Sequence, residues 1–385
     1  MKIVIYESSS GFAPYTTTLC KSIEKYLKIT DRLLYISDKK NMYQQTDFIK
    51  IEKKFVLDVF EVDNKKYKKG TIRWLYNRVN ISLKNLKIGK KIIQSYNPDV
   101  LLLETVVPVF DQFLMKKIKK NIKIITLVHD VIIPSKSFAW SKKSLKSIYQ
   151  NSDQLIVHSE TNKRQLNELY SIPLSKIKVI HHGILPEFKV LKQEKCKAEI
   201  GVDNNNPTLL FYGSIRESKG LDILLKALNN IQCNLIIAGA MPYGETFAPY
   251  EKIIKENHLS CYKYIERTSD EFRDILFQAS DIVVLPYKFF YSQSGVFSQA
   301  IQYHKPIIAT DVSSFKEFIE RYHIGKVCQQ NSIDDLHEKI VEMISDTKKL
   351  KIYENNAINA VKDNTWEKSA EAFYQIFNSL TKRGN

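Results

Sequence analysis

The sequence is poor in cysteine: five in 385 residues, at Cys20, Cys196, Cys233, Cys261 and Cys328, with no Cys-x-x-Cys pair. Residues so far apart and odd in number argue against a disulfide framework and against a structural zinc site. Long apolar runs are missing too, so nothing reaches the length that spans a bilayer. The opening residues, MKIVIYESSSG, run straight into a strand without the apolar core of a secretory signal. No internal repeat or low-complexity segment is evident. These absences lead to the expectation of a cytoplasmic protein. What remains is 44% apolar residues in regular alternation, which excludes a mainly disordered chain. The length suits two domains better than one core.

Acidic residues are scarce in one half only. Met1 to Val190 holds 34 Lys+Arg against 17 Asp+Glu, whereas the remainder is nearly balanced at 24 against 25. The excess gathers in Lys65, Lys66, Lys68 and Lys69, in Arg73, Arg78, Lys84, Lys87, Lys90 and Lys91, and in Lys116 to Lys123. Within TIRWLYNRVNISLKNLKIGKKII, residues Ile72, Leu75, Val79, Leu83 and Leu86 keep helical spacing. A basic amphipathic helix of this kind suits an anionic membrane surface, each nearby cation adding about 1 kcal/mol. The same pattern also fits an ordinary surface helix with a solvated face. Nucleic acid is not expected, because no nucleic-acid-binding module accompanies the charge.

Strands and helices alternate along the chain, which implies parallel sheets covered by helices. In the first half, strands are expected at Lys2–Tyr6, Arg32–Ile36, Phe55–Val62, Val100–Leu103, Lys123–Val128, Gln154–Val157 and Lys176–Ile180. Helices are expected at Tyr15–Lys28, Thr71–Tyr96, Asp111–Lys119 and Thr161–Tyr170. In the second half, strands are expected at Thr208–Tyr212, Asn234–Ala238, Tyr262–Ile265, Ile282–Leu285 and Ile307–Ala309. The join is polar and irregular, so the domains are drawn as 1–185 and 207–365 with a linker at 186–206. A last helix follows at 366–385.

The most informative stretch runs from Asp281 to Glu317. An apolar strand closed by Pro286 leads through a serine-flanked loop to Gly295 and the helical VFSQAIQYH, in which Val296, Ala300 and Tyr303 share a face. A second strand then ends at Thr310-Asp311. The helix start at Gly295 offers free backbone N–H groups to an anion. Upstream, FYGSIRESKGLD (Phe211 to Asp222) sets a glycine and two cations between a strand and a helix. Lys219 stands where the helix dipole disfavours a cation, which suggests a bound anion rather than a surface lysine.

These two stretches resemble glycosyltransferase family 4, retaining enzymes of GT-B fold that use nucleotide sugars. KPIIATD (Lys305 to Asp311) and Glu317 match the segment that closes the family's donor site, and Gly213 to Gly220 is similar to its phosphate loop. The chain departs from the family pattern where a pair of glutamates is usual: Tyr291 and Gln299 stand there. Members reading Gln-Ser-Gly-Val share this trait, and Gln299 can still hydrogen-bond a ribose hydroxyl. Ser214 occupies the place of the family's arginine, with Arg216 two residues on.

The resemblance implies a GT-B fold of two Rossmann-like parallel-sheet domains facing a central cleft, the last helix crossing back to the first domain. It implies His129, Arg216 and Lys219 as catalytic residues. Gly213, Ser294, Gly295, Val296, Gln299 and Glu317 would bind the donor. Ser10, Gly11 and Glu104 would lie on the acceptor side. An alternative use of Glu317 is at a helix N-terminus, and of His129 a backbone-satisfied strand cap. The adjacent His181 and His182 point to opposite faces of a strand and are read as non-ligands. The expected activity moves a hexosyl unit from a nucleotide diphosphate sugar, of UDP or GDP type, to a glycan or lipid-linked acceptor, with retention. Front-face attack, the leaving phosphate taking the acceptor's proton, is the implied path. The setting would be bacterial surface polysaccharide or glycoconjugate synthesis at the inner face of the cell membrane. No metal and no further cofactor is expected, and the oligomeric state stays open. Rival readings are a GT-B pseudoenzyme partnering an active transferase and a GT-B nucleotide-sugar epimerase.

Overall fold

Two parallel sheets organise the protein, each built where apolar runs alternate with amphipathic helices. The structure is a computed structural model that describes residues 1–8, 10–59, 71–118, 121–131, 139–185, 188–290 and 294–382. Lys65, Lys66, Lys68, Lys69, Lys119, Lys120, Tyr291 and Gln293 lie outside the described residues. The chain divides into two units: Met1–Gly183 with the residues from Trp366 on, and Ile184–Thr365.

The first unit contains β1 (Lys2–Glu7), α1 (Ala13–Glu24), β2 (Arg32–Asp38), β3 (Ile51–Leu57), α2 (Ile72–Tyr96), β4 (Val100–Thr105) and α3 (Pro108–Ile118). It continues with β5 (Lys123–Leu127), α4 (Ala139–Asn151), β6 (Gln154–Val157), α5 (Glu160–Tyr170) and β7 (Ile177–Val179). All pairings are parallel, in the order β3-β2-β1-β4-β5-β6-β7. The central strands are buried on both faces, as a helix-covered parallel sheet requires. β3 lies four residues before the expected Phe55–Val62. It is an edge strand carrying Glu52, Lys53 and Lys54, so charge rather than an apolar run marks it.

The second unit contains α6 (Gln193–Glu199), β8 (Thr208–Tyr212), α7 (Leu221–Ala227), β9 (Asn234–Ala238), α8 (Ala248–Glu256), β10 (Ser260–Tyr264) and α9 (Asp270–Ala279). It goes on with β11 (Ile282–Leu285), α10 (Gly295–Gln302), β12 (Ile307–Thr310), α11 (Phe315–Tyr322), β13 (Gly325–Cys328), α12 (Ile333–Ile344) and α13 (Thr347–Asp363). Its sheet runs β10-β9-β8-β11-β12-β13, again parallel. Part of the stretch drawn as a linker folds into α6, whose Cys196 is buried and whose C-terminal neighbours Ile200 and Val202 join this unit's core. Lys197 pairs with Asp281 at 3.3 Å and fixes that helix to the rest of the unit.

The last helix, α14 (Trp366–Lys382), belongs to the first unit. Trp366, Ala370, Phe373 and Phe377 enter the core that holds Leu19 and Ile23 of α1. The Tyr374 hydroxyl donates to Asp31 at 2.6 Å, and Lys25 pairs with Glu367 at 2.8 Å. Burying the three large side chains, Trp366, Phe373 and Phe377, at roughly 1.5–3 kcal/mol each far outweighs that one exposed ion pair.

Candidate active site

Where the strand order of an open parallel sheet reverses, the loops leaving the two strands diverge and leave a crevice for ligand. In the second unit the reversal falls between β8 and β11. Gly213 leaves β8 with φ 104°, and a Cβ there would come within 3.0 Å of Val296 on α10. Gly220, with φ 69°, lies so close to the loop after β11 that a Cβ would meet the Pro286 carbonyl oxygen at 1.9 Å. The Lys288 N–H donates to the Ser218 carbonyl at 2.9 Å, which stitches the two loops together. Lys219 is held between them. Its ammonium lies 3.6 Å from the Tyr287 ring centroid and 4.0 Å from that of Phe290. Among the described residues no carboxylate pairs with it. Burial lowers its pKa to about 7, and the neighbouring Arg216 cation pushes the same way.

The Tyr287 and Ser294 hydroxyls share a hydrogen bond of 3.3 Å, and Thr310 donates its hydroxyl to the Tyr287 carbonyl at 2.7 Å. Ser294 is the N-cap of α10, its Oγ accepting the Phe297 N–H at 3.3 Å. The N–H groups of Gly295 and Val296 are left without an acceptor among the described residues. A cation without an acid, a helix N-terminus and a glycine-lined backbone therefore converge, which is the donor set a diphosphate requires.

Of the residues singled out in the sequence, Gly213, Lys219, Ser294, Gly295 and Val296 come together here. Arg216 is exposed, and its Nε donates to Ser214 Oγ at 3.0 Å. Gln299 lies one turn further along α10 and is partly buried. The buried face of that helix is Phe297, Ala300 and Ile301, followed by Tyr303, while Val296 is half-buried against the Gly213 loop. Glu317 lies in the first turn of α11, where the helix dipole favours an acid. Lys305 points away from the crevice. Its ammonium donates to the Ser280 carbonyl at 2.8 Å and closes the end of α9, and burial lowers its pKa to about 8. Tyr287 and Phe290 were not anticipated. Their signal is a pair of aromatics just past a buried strand's carboxyl end, a position that reads equally well as core.

In the first unit the reversal falls between β1 and β4, which end in Glu7 and in Glu104-Thr105. Glu104, expected on the acceptor side, is turned inward at the end of its strand. It is fully buried, and its Oε1 lies 2.8 Å from His129 Nε2. Phe12 covers the pair, its ring stacked on His129 at 4.0 Å, with Tyr15 edge-on at 5.0 Å. Among the described residues, Glu104 Oε2 is buried with no hydrogen-bond partner. Glu7, which the sequence reading passed over, accepts hydrogen bonds from Tyr35 at 2.5 Å and Ser37 at 2.7 Å. An acid closing an apolar strand marks Glu7 in IVIYE as clearly as Glu104 in LLLET. Burial raises both carboxyls well above the usual range, and the charge of Glu104 raises Glu7 further. Burial also lowers His129 to about 4, so the imidazole is neutral at pH 7.

Ser10 and Gly11 open the short 3-10 turn Ser10–Phe12 that delivers Phe12 to His129. His181 and His182 approach the backbone carbonyls of His158 and Gly183 at 3.1 and 2.8 Å.

Two family profiles divide the chain between them. Residues 58–188 match "Glycosyltransferase Family 4" and residues 192–360 match "Glycosyl transferases group 1". The chain belongs to glycosyltransferase family 4. An uncharacterised glycosyltransferase of Methanocaldococcus jannaschii is 28% identical over 298 residues, which cover 77% of this glycosyltransferase and 79% of that relative. A D-inositol 3-phosphate glycosyltransferase of a Mycobacterium strain is 24% identical over 206 residues, 52% of this chain and 46% of the relative. Among solved structures, a glycosyltransferase from Rickettsia africae superposes with a TM-score of 0.76 at 21% identity, covering 99% of this chain and 98% of that one. The Anabaena protein HepE in complex with UDP-glucose gives 0.73 at 17% identity, covering 98% and 100%. These likenesses show the GT-B fold.

Proposed function

We propose that this glycosyltransferase moves a hexosyl unit from a nucleotide diphosphate sugar, of uridine type, to a glycan or lipid-linked acceptor, with retention. One observation carries the reading: Lys219, without an acid partner among the described residues, lies beside the open N-terminus of α10. A buried cation without a counter-charge is costly, and a diphosphate would supply one. Lys219, the Gly295 and Val296 N–H groups and Arg216 would hold the diphosphate. Gln299 and Glu317 would address donor hydroxyls, and His129 would serve as a neutral hydrogen-bonding group. The likeness to HepE, a protein solved with UDP-glucose, supports the uridine donor. We take the leaving charge to be neutralised by these groups rather than by a divalent cation.

We propose further that the enzyme binds an anionic membrane surface. No helix among the described residues is long and apolar enough to cross a bilayer. Yet α2 exposes Ile72, Leu75, Tyr76, Val79 and Leu83 along one face, Ile72 at 89% and Tyr76 at 73%. Arg73, Arg78 and Lys84 accompany that stripe. An apolar face flanked by cations suits peripheral binding at the headgroup boundary.

Calorimetry with UDP tests the donor site. Lys219→Ala should cost roughly 1.5–3 kcal/mol of affinity, the worth of a charge-assisted hydrogen bond. Release of UDP from UDP-hexoses, in EDTA and with membrane extract as acceptor source, tests transfer. Binding without release under any acceptor would favour a scaffold, and turnover that collapses in EDTA would overturn the metal-free reading.

A further inference from the structure

A buried lysine held without an acid needs another source of negative potential, and at Lys219 two rings supply it. Its ammonium sits over the Tyr287 ring, 3.6 Å from the centroid, and over the Phe290 ring at 4.0 Å. Both distances lie well inside the roughly 6 Å within which a ring face attracts a cation. The two rings meet edge to face, with centroids 5.3 Å apart. Phe315, which opens α11, backs them at 5.5 and 6.2 Å. The Tyr287 hydroxyl shares its hydrogen bond with Ser294, the N-cap of α10, and the Tyr287 carbonyl accepts from Thr310. The cage is therefore fixed to the same helix start that turns free N–H groups outward.

An acid would hold the ammonium more strongly, but its full charge would stay in the site and repel a diphosphate. A ring face attracts through its quadrupole, whose field dies away faster with distance than that of a charge. Two rings can thus keep an ammonium charged without opposing an incoming anion. The charged neighbours do not take their place. Arg216 is itself a cation and disfavours a second one. Asp222 is taken up by Lys288 at 3.0 Å, and Asp311 by Lys316 at 3.5 Å. Among the described residues neither Glu217, on its own turn, nor Glu317, on α11, pairs with Lys219. Burial raises the Tyr287 phenol to about 12, so that ring stays neutral near physiological pH.

We propose that Tyr287 and Phe290 are positioning residues, which keep Lys219 charged and in place while the site is empty, in the role of a counter-ion that carries no charge. That this readiness serves a diphosphate rests on the donor reading above, whereas the cage stands without it.

Titration of the ligand-free full chain tests the cage, with lysine Cε labelled and followed by NMR; the signal missing from Lys219→Met is that of Lys219. Phe290→Leu keeps the site apolar but removes a ring face, which disfavours the charged form. The Lys219 midpoint, about 7 in the unaltered chain, should fall by about one pH unit, within the worth of a desolvated cation–π contact. UDP calorimetry should then show binding about tenfold weaker at pH 8 but only about twofold weaker at pH 6, where the ammonium is still half charged. Phe290→Tyr, which keeps a ring face, should restore both readouts. Should Phe290→Leu fail to fold, Phe290→Met makes the same test. An unmoved midpoint would overturn the inference, and so would an equal loss of UDP affinity at both pH values, the mark of a loop that is merely propped. Tighter UDP binding by Phe290→Leu would overturn it too, since the rings would then be holding the ammonium away from its ligand. A midpoint that shifts as expected in a chain that binds no UDP sinks the diphosphate reading and spares the cage. UDP binding beside an unmoved midpoint does the reverse.

Discussion

Nucleotide affinity should depend on pH through Lys219. Burial, with the Arg216 cation adding to it, sets the free ammonium's pKa at about 7, against an ordinary value of 10.5. A diphosphate binds the charged form, so above pH 7 each binding event must also take up a proton. Affinity should then fall by at most tenfold per pH unit, about 1.4 kcal/mol, with partial solvent access making this a ceiling. Below pH 6 the terminal phosphate itself protonates, its second pKa being about 6, so affinity should peak between roughly pH 6 and 7. Lys219→Arg, which stays charged, should flatten the alkaline limb. Stability of the free protein runs the opposite way. Between about pH 7 and 10 the unfolded chain holds more protons at this site, so the fold gains stability as pH rises, and Lys219→Met should remove that slope. UDP calorimetry from pH 6 to 9, in buffers of differing ionisation enthalpy, reads both affinity and proton uptake. Constant affinity from pH 7 to 9 with no proton uptake would refute the reasoning.

Three further outcomes are expected. Glu7 and Glu104 have carboxyl pKa values raised by burial, so they stabilise the fold most below their ordinary range and lose that contribution as pH rises toward their folded values. Melting temperature should therefore fall between pH 5 and 7, and Glu7→Gln should flatten the fall; an unchanged slope would count against the pair. Gly220→Ala sets a Cβ against the Pro286 carbonyl at a left-handed position, which should cost about 1–3 kcal/mol in urea melts and weaken UDP binding at least tenfold. Wild-type binding by that variant would mean the loop contact does not place Lys219. Leu75→Gln with Val79→Gln, both on the exposed stripe of α2, should reduce cosedimentation with anionic vesicles without lowering the melting temperature, and salt should weaken the wild-type interaction. Cosedimentation unmoved by both would leave α2 a solvated surface.

The interior of each sheet was legible from sequence because a parallel strand covered on both faces must be apolar throughout. β6, β8, β9 and β11 lie where their runs predict. The edges were not. β3 carries Glu52, Lys53 and Lys54, β10 begins two residues before its apolar portion, and β13 contributes the half-exposed Gly325–Val327 that no pattern announces. α6 hid in a Lys/Glu-rich stretch because a seven-residue helix needs few apolar positions, and only Cys196 within it carries its apolar contact. At the site, glycine, cation and helix start were readable because each residue type has one physical use there. Tyr287 and Phe290 were not, since an aromatic cage for a lysine uses the same residues as a core. Glu104 was chosen for its place at a strand end, but sequence alone cannot tell a carboxylate open to solvent from one turned onto a histidine.

The return of α14 to the first unit bears on how the protein is made. Ile184–Thr365 is contiguous in sequence and can fold as it leaves the ribosome. The first unit cannot finish so early, because Leu19 and Ile23 wait for Phe373 and Phe377, some 350 residues later. Until then a strip of α1 stays uncovered, and a nascent chain stalled before Trp366 would present it to chaperones. Closure of the first core thus waits for the synthesis of α14, so loss of that helix exposes an apolar face.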